Sequence, residues 1–134
     1  MQSPSGGDVT LFYPEESLLL QVAAWQRTHG GHALRVVYAV DSLVTVRAIE
    51  KASLALIDAT EFPGEAMAAL ERAIARLGPL RVAVYAERLH DGLELFVRVR
   101  GVPLLLGPLE PGEWEAFLEP FVQTRGIRSV YRPA

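Results

Sequence analysis

The chain of 134 residues contains no cysteine. That alone excludes disulfides, thiolate metal sites and cysteine nucleophiles. It has one lysine, Lys51, beside twelve arginines, so any chemistry that needs a lysine must use Lys51. Long apolar runs are missing as well. Leu18-Leu19-Leu20 is followed by Gln21, and Trp25 by Gln26-Arg27. A membrane span needs roughly 18 apolar residues in a row, and no leader-like segment is seen, so a cytoplasmic location and no membrane partner are expected. There is no excess of positive charge: the net charge is -3 and the pI about 5.6. Nucleic-acid surfaces are usually basic, so no nucleic-acid partner is expected.

The usual phosphate cradles are also missing. No G-x-G-x-x-G or P-loop occurs, and Gly6 and Gly7 lie in a polar stretch before any strand. There is no G-x-S-x-G, so His90-Asp91 has no serine to serve and reads as the start of a helix. His29 and His32 flank Gly30-Gly31, with no carboxylates beside them, and read as a solvated loop rather than a metal pair. Ser53 and Thr60 read as ordinary loop residues. No metal or cofactor is expected. No complete set of acid, base and nucleophile can be named, so the chain is not expected to be an enzyme.

What is present is apolar material in a regular rhythm. Half the residues are hydrophobic, enough for one core at this length. Residues 1–8 read as a flexible tail, 9–126 as one domain, and 127–134 as a second tail. Within the domain, Val9–Tyr13 is the first predicted strand, ended by Pro14. A helix follows over Glu15–His29, with acids in its first turn and Gly30-Gly31 as its stop. Leu34–Ala39 is a strand, and Leu43–Lys51 a helix capped by Asp41 or Ser42. Leu54–Ile57 is apolar without alternation, as expected for a strand covered on both faces. Gly64–Leu77 is a strongly amphipathic helix ended by Gly78-Pro79.

Arg81–Tyr85 is the fourth predicted strand. Leu89–Val99 is the fourth helix, although Gly92 and the alternation through Phe96-Val97-Arg98-Val99-Arg100 also suit an extended chain. Val102–Leu106 is the fifth strand, closed by Gly107-Pro108. Glu113–Gln123 is the last helix, packed through Trp114, Phe117 and Phe121, with a possible kink at Pro120 and a stop at Gly126. Five strands alternating with five helices predict an α/β fold with a doubly wound parallel sheet. The order 2-1-3-4-5 is one of the two common solutions, and its ligand sites lie outside the carboxyl ends of the strands.

The loops at those ends carry a family resemblance. The run Ser53-Leu54-Ala55-Leu56-Ile57-Asp58-Ala59-Thr60-Glu61-Phe62-Pro63-Gly64 resembles the third strand and following loop of response-regulator receiver domains. There an apolar strand ends in the phosphate-accepting aspartate, and a Pro-Gly pair opens the next helix. Asp58 stands at the acceptor position. The run Gly101-Val102-Pro103-Leu104-Leu105-Leu106-Gly107-Pro108-Leu109 resembles the fifth strand, where receivers carry a Lys-Pro pair. The resemblance covers about residues 9 to 124 and implies a flavodoxin-like, three-layer sandwich.

The chain departs from the family at the positions that carry its chemistry. Phosphoryl transfer to a carboxylate needs a nucleophile, a Mg²⁺ held by further carboxylates, a cation and a hydroxyl. The acidic pair after the first strand is replaced by Tyr13 and Pro14, the fourth-strand hydroxyl by Ala86, the lysine by Gly107, and the aromatic switch residue by Leu104. The chain is thus similar to degenerate pseudo-receivers, and the resemblance implies a non-catalytic interaction or dimerisation module in bacterial signalling. Asp58 is expected to be a turn residue that bonds neighbouring N–H groups. A homodimer is expected through Phe96, Val97, Val99, Leu104 and Leu105. Two alternatives stay open. One is a receiver still phosphorylated at Asp58, with Glu15 or Glu16 as metal ligands. The other is a small-molecule binder whose crevice beside Tyr13, Asp58 and Ala86 suits an uncharged ligand.

Overall fold

The structure is a computed structural model. It describes residues 9–28, 34–38, 42–61 and 63–130, with the backbone alone at 28, 42–46 and 122–130. The tails 1–8 and 131–134, and with them His29 and His32, lie outside the described residues.

Five strands and five helices alternate: β1 (Val9–Phe12), α1 (Glu16–Thr28), β2 (Leu34–Val37), α2 (Ser42–Lys51), β3 (Leu54–Asp58), α3 (Pro63–Leu77), β4 (Val82–Ala86), α4 (Asp91–Arg100), β5 (Leu104–Leu106) and α5 (Pro111–Val130). All strands are parallel, in the order β2-β1-β3-β4-β5. This is the doubly wound sheet that the sequence predicts.

Side-chain alternation divides the core into two layers. Phe12, Ala55, Ile57, Val82, Val84 and Ala86 face one side and pack against Ile49, Ala66, Leu70, Leu93 and Val97 of α2, α3 and α4. Val9, Leu11, Leu54, Leu56, Ala83 and Tyr85 face the other and pack against Leu18, Val22, Trp25, Trp114 and Leu118 of α1 and α5. The central strands β3 and β4 are buried at every residue, which explains their unbroken apolar sequences.

Several element boundaries differ from the sequence reading. Residues 91–100 are wholly helical, although their sequence also alternates. Two local features decide this. Leu93 and Val97 are one turn apart and both buried, and Gly101 closes the helix in the left-handed region at φ 73° with its N–H on the Arg98 carbonyl at 3.2 Å. His90-Asp91 does open this helix, His90 being its N-cap. Arg81 belongs to a short 3₁₀ turn, Pro79–Arg81, rather than to the fourth strand. The last helix runs through Pro120 and past the stop expected at Gly126, to Val130.

The expected dimer face also changes. Val97 is 2 % exposed and belongs to the core, so it cannot present itself to a partner. Phe96 and Leu104 are half-buried against the same layer, and Leu105 against the other. The Arg100 guanidinium covers Phe96, 3.5 Å from its ring centroid. Of the five residues expected there, Val99 is exposed, at 70 %, and Leu95 and Leu106, outside that set, are exposed at 62 % and 52 %.

Candidate functional site

The carboxyl ends of β1, β3, β4 and β5 meet at one edge of the domain, and their parallel register sets what faces what. Asp58 is paired with Tyr85 on β4, and Ala86 with Leu106 on β5.

Asp58 is 3 % exposed, and both its carboxylate oxygens are in use. Oδ1 accepts the Thr60 N–H at 2.9 Å, and Oδ2 accepts the Glu15 N–H at 2.9 Å. The first bond closes the turn after β3. The second is long-range and draws the loop after β1 across the carboxylate. In that loop Tyr13 takes a left-handed backbone, φ 56°, while its N–H still bonds to the Val37 carbonyl at 2.9 Å. Tyr13-Pro14-Glu15 therefore lies over Asp58 as a backbone clamp.

Tyr85 occupies the neighbouring position. It points from β4 into the α1/α5 layer, is 1 % exposed, and lies against Trp114 with ring centroids 5.9 Å apart. A Cβ added at Gly107 would come within 2.6 Å of Tyr85 Cζ, and closer still to its hydroxyl oxygen and Cε1. The tyrosine ring thus fills the space in which any side chain at position 107 would begin.

The phenol leads into a polar network. Tyr85 OH and Ser17 Oγ both donate to Glu87 Oε2. Gln21 Nε2 donates to Tyr85 Oη at 2.8 Å and Ser17 Oγ at 3.0 Å, with Glu87 Oε2 further off at 3.3 Å. Gln21 Oε1 accepts the Leu109 N–H at 2.8 Å and the Trp114 indole N–H at 3.0 Å. Two donors on the oxygen settle the amide's orientation. Glu87 is held below the ordinary carboxylate range, first by Ser17 and then by Tyr85. Burial and the bonded carboxylate push the Tyr85 phenol well above its ordinary value.

Thr60 joins the loops after β3 and β4. It is buried, contrary to its reading as an ordinary loop residue. Its Oγ1 accepts the Glu87 N–H at 3.1 Å. Its carbonyl accepts Arg88 Nη2 at 3.3 Å and has His90 Nε2 at the same distance. Arg88 also pairs with Glu61.

An open cleft of about 380 Å³ lies to one side, lined by Tyr13, Pro14, Glu15, Glu16, Tyr38 and Glu65. It carries three carboxylates, and of the crevice residues named for the small-molecule alternative only Tyr13 lines it; Asp58 and Ala86 do not. Glu16 and Glu65 occupy the first turns of α1 and α3, where the helix dipole favours acids. Burial, then the charges of Glu61 and Asp58, raise the Glu15 carboxyl above its ordinary value.

These residues do not fit a receiver's Mg²⁺. Such an ion needs several free oxygen donors in octahedral array. Tyr13 and Pro14 bring no carboxylate, and both Asp58 oxygens are bonded to backbone. Among the described residues, no group of three His, Asp or Glu side chains is placed to hold a metal. Lys51 ends α2 and is exposed, away from β5.

Ser17, Gln21, Tyr85 and Glu87 were not singled out by sequence reasoning. The available signal was Tyr85 itself, a polar tip inside the apolar strand Val-Ala-Val-Tyr-Ala.

No protein-family model matches the chain, and no curated protein does. Solved structures match over nearly its whole length. A signal receiver domain of a Clostridium thermocellum histidine kinase is similar at TM-score 0.68 and 17 % identity, covering 87 % of this chain and 98 % of that one. A candidate pilus assembly-related protein of Burkholderia pseudomallei is similar at TM-score 0.65 and 15 % identity, covering 90 % and 94 %. The receiver domain of a Pseudomonas aeruginosa sensor histidine kinase, which holds magnesium in its active-site cleft, is similar at TM-score 0.60 and 19 % identity, covering 89 % and 99 %. The chain has the α/β fold of receiver domains, and these likenesses speak to the fold.

Proposed function

We propose that the chain is a receiver-fold module that acts by protein–protein contact in bacterial signalling or regulation, without aspartyl phosphorylation. It works in the cytoplasm as a homodimer and is not an enzyme. The observation that carries this reading is the state of Asp58. Its buried carboxylate is committed on both oxygens to the Glu15 and Thr60 N–H groups. Each oxygen keeps a second lone pair, but at 3 % exposure and bonded to the Glu15 backbone the carboxylate is closed to a phosphoryl donor, and in-line attack also needs a neighbouring cation. The position from which a lysine would reach the donor is Gly107, and Tyr85 fills that space. Support for the dimer comes from Leu95 and Val99, one turn apart on α4 and both exposed, and from exposed Leu106 on β5.

The test is incubation with acetyl phosphate and Mg²⁺, followed by intact mass. No adduct is expected. A stable phosphoryl adduct that maps to Asp58 would overturn the reading. Sedimentation tests the dimer: the parent chain is expected to sediment as a dimer and Val99→Asp as a monomer. A parent chain that stays monomeric at high micromolar concentration refutes this part.

A further inference from the structure

Glu87 follows β4 directly, and three residues separate it from the start of α4 at Asp91. Ties on two sides hold it. On one side its carboxylate accepts from Ser17, Gln21 and Tyr85, which joins it to α1 and the sheet. On the other, its own N–H bonds to Thr60 Oγ1, and its neighbour Arg88 reaches Glu61 and the Thr60 carbonyl. His90 Nε2 faces that same carbonyl, and His90 is the N-cap of α4. The loop 87–90 is therefore spanned from α1 to the turn after β3, and Glu87 contributes to both ends of the span.

We infer that Glu87 is a built-in lock on this loop: a half-buried carboxylate, held by Ser17, Gln21 and Tyr85, that fixes how α4 leaves the sheet. The carboxylate ties the loop to α1 and β4, and the Glu87 N–H ties it to the turn after β3. The exposed α4 residues Leu95 and Val99 are then presented in one arrangement. This inference rests on the interaction-module reading and deepens it. The lock acts through the loop, so Glu87 and Tyr85 are positioning residues.

Backbone hydrogen exchange on the full chain at neutral pH tests it. Glu87→Ala is expected to raise exchange at residues 87–95 by about 10- to 100-fold, the equivalent of one lost charge-assisted bond, while β1 and β3 stay protected. Glu87→Gln, which keeps the acceptor but not the charge, is expected to fall between. Glu50→Ala, which removes an exposed α2 acid paired with Arg76, serves as the surface control and should leave the loop unchanged. If Glu87→Ala fails to fold, Tyr85→Phe and Glu87→Gln decide the matter by the same local signature. A rise spread evenly over all strands would mean global destabilisation and would overturn the lock. So would no rise at all. A phosphoryl adduct at Asp58 with local exchange still governed by Glu87 would sink the proposed function and leave the lock standing. Unmoved exchange without an adduct would do the reverse.

Discussion

The contact between Gly107 and Tyr85 predicts a large cost for a small substitution. Gly107→Ala adds one methyl group. Gly107 is not among the glycines with positive φ, so the backbone accepts alanine without strain. The whole cost falls on Tyr85, whose Cζ would lie 2.6 Å from the new Cβ. The contact is with the far end of a side chain, which at the surface would swing aside. This ring cannot do so freely: it is 1 % exposed, packed on Trp114, and bonded through its hydroxyl to Gln21 and Glu87. Overpacking a tight core costs about 1–3 kcal/mol, and losing a hydrogen bond to a charged group about 1.5–3 kcal/mol. Partial relaxation makes the sum an upper bound, so Gly107→Ala should cost about 2–4 kcal/mol.

Chemical denaturation followed by circular dichroism measures this, and at roughly 4 °C per kcal/mol it amounts to a Tm drop of some 8–16 °C. The decisive comparison is a cycle with Tyr85→Leu, which removes the ring. That variant is itself destabilised by the cavity and the freed polar groups. On its background, Gly107→Ala should cost less than about 1 kcal/mol, because the obstacle has gone. An equal cost on both backgrounds, or a cost under about 0.5 kcal/mol in the parent chain, would refute the reasoning.

Three further outcomes follow from the same site. Asp58→Asn keeps one acceptor but turns an NH₂ group toward the Glu15 or Thr60 N–H, so it should cost about 1–3 kcal/mol by denaturant titration. Gln21→Leu strips partners from the Leu109 N–H and the Trp114 indole N–H, and should cost roughly 2–5 kcal/mol with a change in tryptophan emission. Glu15→Gln should stabilise the chain at pH 7 by a few tenths of a kcal/mol. The sign follows from linkage: the Glu15 carboxyl is raised in the folded state, so its ionised form costs stability above that pKa. The advantage of Gln should shrink as pH falls through the folded pKa and vanish below the ordinary value of 4.5, which Tm against pH would show.

The sheet was legible because its signals are local. Leu54–Ile57 is apolar without alternation, and the Asp58 strand end and the Pro63-Gly64 helix start lie within a few residues of it. Residues 91–100 were ambiguous because Phe96-Val97-Arg98-Val99-Arg100 fits both periods. The burial of Leu93 with Val97 and the left-handed Gly101 decide for helix. The dimer face was misjudged at Val97 because apolar character does not reveal exposure. Val97 and Val99 look alike in sequence, yet one is core and the other 70 % exposed. The polar network was not legible at all. Gln21, Tyr85, Glu87 and Trp114 come together only once α1, β4 and α5 are stacked, and no periodicity of any one segment encodes that.

The same non-local logic changes what the missing lysine means. From sequence, Gly107 looks like a single loss that a single substitution could reverse. In the fold, the vacancy at 107 and the ring at 85 require each other, so Gly107→Lys alone would clash before its amine reached the crevice. Shrinking Tyr85 to leucine in the same chain makes room for the lysine. That double variant should fold, since the ring in the lysine's path has gone and position 107 is only half-buried, so the long side chain can run outward. It should still form no adduct with acetyl phosphate and Mg²⁺, because Tyr13 and Pro14 supply no carboxylate and the Asp58 oxygens remain bonded to the Glu15 and Thr60 N–H groups. An adduct in the double variant would show that the cation alone was limiting, and that the backbone clamp on Asp58 opens readily. Its absence in a folded double variant would show that restoring the cation is not enough, as the missing acidic pair and the buried, backbone-bonded Asp58 require.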